Sequence, residues 1–258
     1  MRRAMATLGA LADTTPRAKG AVHLDLSGSI AEIVLDNPST RNALSLSMMS
    51  ELARCVIRLS QWDGAAVLVR SEGEVFCSGG HLGELRRAIG SGKPARQMSE
   101  AMTEVLNGLR ALPQVSVCAV QGPALGGGAE LLTATDARVI GPQATIHFVQ
   151  ARLGIAPGWG ATERLVGIVG PGRALRLLAG ALPISPAEAE IMGLADAVVP
   201  DPVAGARAWL EPLLDHPPQA IRAIKQQIHE PARHAEIFAE VWGSADHVAA
   251  LNRMRQAR

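Results

Sequence analysis

Residues 117–139 read VCAVQGPALGGGAELLTATDARV. Their apolar start completes a run from Val115 to Val120 that Gly122-Pro123 ends. A run this short and apolar but for Ser116, bounded by turn residues, reads as a strand buried on both faces. Gly126, Gly127 and Gly128 then lead into a helix expected to start near Glu130, and Ala137 to Ile140 reads as the next strand. Glycine permits positive φ and lets a ligand approach the backbone closely. A helix opening behind such a turn aims unpaired N–H groups at whatever lies before it. Glycines after strands ordinarily serve only tight turns or close packing. Here Glu130 adds a carboxylate within one helical turn of the donors.

A second Gly-rich turn, Cys77-Ser78-Gly79-Gly80-His81-Leu82, follows another short apolar run, Ala65 to Val69. Upstream, Val22 to Leu35 reads as a hairpin turning at Ser27-Gly28. Ser45 is placed to cap a helix from Leu46 to about Leu59, with Met48, Met49, Leu52, Val56 and Leu59 at helical spacing. Met98 to Leu109 reads as an amphipathic helix and Thr145 to Phe148 as a fourth strand. Strands alternating with helices give an α/β class. Beyond Pro157 the pattern is helical, ending in a stretch from Ala232 to Met254. The expected organisation is a flexible N-terminus over 1–20, an α/β core over 21–200 and a helical region over 201–258.

Composition narrows the function. Of 258 residues, 48% are hydrophobic and 19% charged, which is globular rather than disordered. Lys plus Arg number 25 against 24 Asp plus Glu, so no basic footprint for nucleic acid or an anionic membrane exists. No apolar stretch reaches the ~20 residues of a membrane span. Three cysteines without metal-type spacing fit a reducing, cytoplasmic setting. The absence of tyrosine removes tyrosine acid–base chemistry. There is no Walker loop, dinucleotide fingerprint, H-E-x-x-H or G-x-S-x-G, and the seven histidines are scattered. Neither a metal nor a prosthetic group is expected. Two Gly-rich turns whose N–H groups converge on one oxygen would make an oxyanion hole, a device suited to thioester enolates.

FCSGGHLGEL, VCAVQGPALGGGAELLTATDARV and GIAPGWGATERLVGIVG, with Asp36-Asn37-Pro38 and Arg41-Asn42-Ala43-Leu44 before them, resemble the signature of the crotonase, or enoyl-CoA hydratase/isomerase, superfamily. The resemblance runs from about Val22 to the end of the chain. It implies a crotonase-type ββα spiral core with a helical C-terminal region that packs between subunits of a homotrimer or hexamer. It implies an acyl-CoA thioester as substrate, with coenzyme A entering as part of it. It places the oxyanion-hole N–H groups at Gly80 and Gly127, and the CoA thioester along Arg41, Ala43, Ser78, Gly79, His81, Leu82 and Gly126. Pro157 and Trp159 would line the acyl pocket, although plain core packing explains Trp159 as well.

The chain departs from that signature at two places. Family hydratases activate water with two glutamates. The first matches Glu130, and the second, four residues before Gly154, is here Gln150. An amide is no general base near neutral pH. His81 stands where the family usually has Asp, and a capping or exposed role suits it. IHFVQARLGIAPGWGATERLVGIVG, CSGGHL and VWGSADHVAALNRM are most similar to the branch that decarboxylates ethylmalonyl-CoA. Losing CO2 from a 2-carboxyacyl thioester needs no activated water, and Gln150 could donate to the substrate carboxylate. The alternatives are an enoyl-CoA isomerase or one-glutamate hydratase using Glu130, and a non-catalytic acyl-CoA-binding subunit.

Overall fold

The computed structural model describes residues 1–13, 19–85 and 92–256. Helix α1 (Arg2–Ala12) precedes the antiparallel hairpin of β1 (Ala21–Asp25) and β2 (Ile30–Asp36), in which Val22 faces Leu35. In α2 (Leu46–Leu59) the Ser45 side chain accepts the N–H of Met48, satisfying a donor that the helix start leaves open. Next come β3 (Ala66–Ser71), the short α3 (Leu82–Leu85) and α4 (Gly92–Arg110). Two ββα units follow: β4 (Val115–Val120), β5 (Ala124–Leu125) and α5 (Gly127–Leu132), then β6 (Ala137–Ile140), β7 (Ile146–His147) and α6 (Ala161–Val169). The chain continues through α7 (Pro171–Gly180), β8 (Pro183–Ile184), α8 (Pro186–Ile191) and β9 (Ala197–Val198). Four helices complete it: α9 (Pro202–Leu214), α10 (Pro218–His229), α11 (His234–Val241) and α12 (Ala245–Gln256).

One sheet has the order β1-β2-β3-β4-β6-β9, parallel except at β1, and β5, β7 and β8 form a smaller one. The central strands are mostly apolar because both their faces are covered, and the polar residues Glu32, Ser71, Ser116 and Arg138 within them are buried as well. Val67, Val69, Cys118 and Val120 join the main core with α1, α2 and α4. The alternate residues Leu68, Val117, Ala119 and Val139 pack on Ala206 and Leu210 of α9. Among the described residues no helix is long and apolar enough to cross a membrane.

Several expectations are corrected. Residues 2–12, expected to be flexible, form α1, whose Ala4 and Leu8 are buried against α2 and α4. From Pro202 onward the regular elements are helical, and α9 among them covers one face of the sheet. The helix expected near Glu130 begins at Gly127, with Gly126 at a positive φ of 53° as its cap. The strand expected from Thr145 to Phe148 shortens to two residues. The helical stretch from Ala232 to Met254 breaks at Gly243, whose φ is +76°. Of the C-terminal apolar residues, Ile237 is fully buried in its own chain, while Phe238 and Trp242 are exposed.

Candidate active site

The two Gly-rich turns meet because three segments are stitched together by backbone bonds. Ser78 N–H donates to Arg41 O (3.0 Å), Leu44 N–H to Gly79 O (2.8 Å) and His81 N–H to Leu44 O (2.8 Å). On the other side, Cys77 N–H donates to Pro123 O (3.2 Å) and Leu125 N–H to Cys77 O (2.8 Å). The approach admits no side chain at Gly79, where φ is +97° and a Cβ would lie 3.0 Å from the Gly127 nitrogen. The N–H groups of Gly80 and Gly127 have no protein acceptor among the described residues. Gly127 opens α5, so its N–H is one of the donors a helix cannot use internally.

One turn further along α5, Glu130 is 2% exposed and its carboxylate is fully engaged. Oε1 accepts from Gln150 Nε2 (2.8 Å) and Gly158 N–H (3.2 Å), and Oε2 from Trp159 N–H (2.7 Å) and Ala161 N–H (3.3 Å). Burial nonetheless pushes the Glu130 carboxyl above its ordinary value, because desolvation outweighs the four donors. Gln150 opens a 3-10 turn over Gln150–Leu153 and is buried; its Oε1 has no partner among the described residues.

Beneath this cluster lies Arg164, a buried residue that sequence reasoning passed over. Its guanidinium donates to Thr133 Oγ1 (3.0 Å), Asn107 Oδ1 (3.0 Å), Glu130 O (3.3 Å) and Trp159 O (2.8 Å). Burial pushes its pKa down to about 10, against the pull of Glu130, so it stays charged near neutral pH. The available signal was its position: Arg164 falls on the face of α6 that carries the buried Ala161 and Leu165. Asn42 was read as part of a motif only. Its amide donates to Glu72 O and Val75 O, both at 2.7 Å, and accepts the Asn37 N–H (2.8 Å), bracing the segment behind the first turn.

The expected site residues therefore gather in one place, with distinctions. Gly79, Gly80, Gly126, Gly127, Glu130 and Gln150 converge. Ser78 is fixed by its hydroxyl on Thr40 O (3.2 Å), and Ala43 is buried behind the turn. Arg41 holds the turn through its carbonyl while its side chain is exposed. His81 is half-buried, and its Nδ1 finds no partner among the described residues. Pro157 is half-buried, and Trp159 is buried in the main core. The Leu82 side chain lies outside the described part of the structure.

Residues 25–243 match the enoyl-CoA hydratase/isomerase family. Ethylmalonyl-CoA decarboxylase of Xenopus laevis is 39% identical over 245 residues, covering 88% of this chain and 82% of that protein. The protein of the same name from Danio rerio is 39% identical over 239 residues, covering 86% and 79%. Among solved structures, an enoyl-CoA hydratase from Bacillus anthracis superposes with a TM-score of 0.85 at 27% identity, covering 92% of this chain and 96% of its own. The Pseudomonas aeruginosa protein DspI superposes at 0.84 with 27% identity, covering 95% and 97%.

Proposed function

The chain belongs to the enoyl-CoA hydratase/isomerase family, has the crotonase fold and is an enzyme acting on acyl-CoA, and from that premise we propose that it decarboxylates a 2-carboxyacyl-CoA of the methylmalonyl or ethylmalonyl type. The observation that carries the reading is the pair Glu130–Gln150, joined at 2.8 Å. Hydration uses a second carboxylate to activate water, and an amide stands there instead. The relatives named ethylmalonyl-CoA decarboxylase support the same reaction class.

In this reading the bond between C2 and the substrate carboxylate breaks and CO2 leaves. The electron pair moves onto the thioester oxygen, where the N–H groups of Gly80 and Gly127 receive it. Each such donor contributes about 3–4 kcal/mol where charge develops in a dry site. C2 then takes a proton, and Glu130 is the group assigned to supply it. Each CO2 released consumes one proton. The thioester is itself the electron sink, so the proposal includes no metal or prosthetic group, and CoA enters with the substrate. Exposed Phe238, Leu251 and Met254 on the last two helices, with Trp242 between them, suit burial in a homotrimer or hexamer.

The test is CO2 release from methylmalonyl- and ethylmalonyl-CoA, measured beside the absorbance of 2-enoyl-CoA. Release of CO2 supports the proposal. Loss or shift of the enoyl chromophore without CO2 supports an isomerase or one-glutamate hydratase, for which the single carboxylate of Glu130 would suffice.

A further inference from the structure

Gln150 holds a polar atom that its surroundings leave unused. Its Nε2 donates to Glu130 Oε1 at 2.8 Å, and its Oε1 is buried without a partner among the described residues. The cause lies in the neighbour. An ionised carboxylate only accepts hydrogen bonds, so the amide must turn its NH2 edge toward Glu130. The remaining lone pairs of Glu130 are already engaged by the N–H groups of Gly158, Trp159 and Ala161. Half a turn about the terminal bond of Gln150 would exchange its oxygen and nitrogen. The oxygen could then face Glu130 only if Glu130 carried a proton to donate. The nitrogen, now pointing where the oxygen had been, would need an acceptor.

We propose that Gln150 is a rotating reader of the substrate's carboxylate, turning its amide nitrogen from Glu130 to that carboxylate as Glu130 takes up a proton. This rests on the decarboxylase reading and adds how the substrate is told apart from uncarboxylated thioesters. An acyl-CoA without the carboxylate offers the amide no acceptor, and Gln150 stays on Glu130. A carboxylated one brings a second negative charge beside a buried carboxylate, which a low-dielectric site resists. Proton uptake removes that conflict and loads the acid. When the C2–carboxylate bond breaks, CO2 departs without the electron pair, which passes to the thioester oxygen. Glu130 then gives its proton to C2 and is ionised again, and the amide returns. One substrate anion and one proton become CO2 and the shortened thioester.

The groups facing Glu130 are arranged for such a balance. Burial favours its protonated form. Three backbone N–H groups and the Gln150 amide favour its ionised form, and the charge of Arg164 attracts it. Glu163 lies near Arg164 and tempers that cation.

The experiment titrates the whole protein with two inert CoA thioethers, one bearing the carboxylate and one without it. Calorimetry in buffers of different ionisation heat reads the protons exchanged. The expected result is uptake approaching one proton per site with the carboxylated thioether and none with the other. Gln150→Met should weaken the carboxylated ligand roughly 10–100-fold, the worth of one hydrogen bond to a charged group. The uncarboxylated ligand should bind within about twofold of the unaltered protein, which also shows that the variant folds. Glu130→Gln should abolish uptake, because the carboxyl that takes the proton is gone. Absence of uptake in the unaltered protein, or equal weakening of both ligands by Gln150→Met, overturns the rotation. CO2 release separates the two claims: turnover without uptake sinks the rotation alone, and no turnover removes the decarboxylase reading together with it.

Discussion

The indole of Trp159 fills the space that a side chain on Gly127 would need: a Cβ built there falls 2.3 Å from the ring. The same residue spends its backbone N–H on Glu130 Oε2 at 2.7 Å. The Gly127 backbone, the aromatic ring and the buried carboxylate are thus positioned by one another. Trp159 packs in the core behind Gly127, as the plain-packing reading of it expects.

Gly127→Ala should therefore damage both stability and turnover. Forcing a methyl against a buried indole costs about 1–3 kcal/mol of overpacking. Any shift of the Gly127 N–H should lower kcat by roughly 10²–10³-fold, as loss of one oxyanion donor does. Thermal melting and steady-state kinetics on the same preparation check this. A variant with unaltered kcat would show that the Gly127 N–H does not face the reacting oxygen.

Glu130→Gln should lower kcat by roughly 10²–10⁴-fold, the range for a positioned acid or base. It should also destabilise the fold, because an amide NH2 must face donors that now bond a carboxylate. Leaving such donors unsatisfied costs about 1–3 kcal/mol. The pH dependence has a definite sign. Burial raises the folded carboxyl above 4.5, so the folded state keeps a proton that the unfolded chain has released. The carboxyl's contribution to stability is largest below 4.5 and falls as pH rises through the raised value. Denaturant midpoints measured upward from pH 4 should show that fall in the unaltered protein, and a smaller one in Glu130→Gln.

Those elements were legible from sequence wherever local pattern and burial agree. Val115 to Val120 and Ala137 to Ile140 read as strands because, with both faces covered, each keeps only one polar residue, Ser116 and Arg138, and no sustained polar alternation. Ser45 marked the start of α2 because a cap is local chemistry. The start of α5 was missed by three residues because glycine is a poor helix former; at Gly127 the close packing of Trp159 and the first turn decides instead. Helix α1 was missed because its short apolar face has value only against α2 and α4. The site shows the same division. Both glycine turns, Glu130 and Gln150 were visible as residue types in order. The bond between Glu130 and Gln150 spans 20 positions, and Arg164 gathers partners as far as 57 positions away. Such pairings are set by tertiary packing, which no local pattern encodes.

The three cysteines should resist modification in the native protein. All are free and buried, and burial pushes Cys55 up to about 11 and Cys77 up to about 12, with Cys118 shifted in the same direction. The thiolate is the reactive form, so an aromatic disulfide reagent at pH 8 should titrate almost none of them until denaturant is added. Above pH 9 the unfolded chain loses thiol protons that the folded one retains, so stability should fall as pH rises from about 9 toward 12. Rapid labelling of one thiol in the native state would show that its cover opens locally.

Lys225→Met tests what fastens α10 to the sheet. Lys225 Nζ donates to Gln114 O and to Asp136 Oδ2, both at 2.7 Å, and the residue is 5% exposed. Asp136 also accepts the backbone and hydroxyl donors of Ser116, at 2.7 and 2.8 Å, with His229 on its other oxygen. Methionine keeps the apolar stem but leaves Asp136 without its cation and Gln114 O without that donor. Breaking a buried pair costs about 3–5 kcal/mol. The Ser116 donors that remain on Asp136 place the expected loss near the lower end. Lys225 makes no bond to either glycine turn, to Glu130 or to Gln150, so kcat of the folded fraction should stay within about twofold. Urea unfolding followed by fluorescence, with kcat measured well below the midpoint, separates the two effects. A large loss of kcat at full folding would show that α10 acts on the site as well as on the sheet.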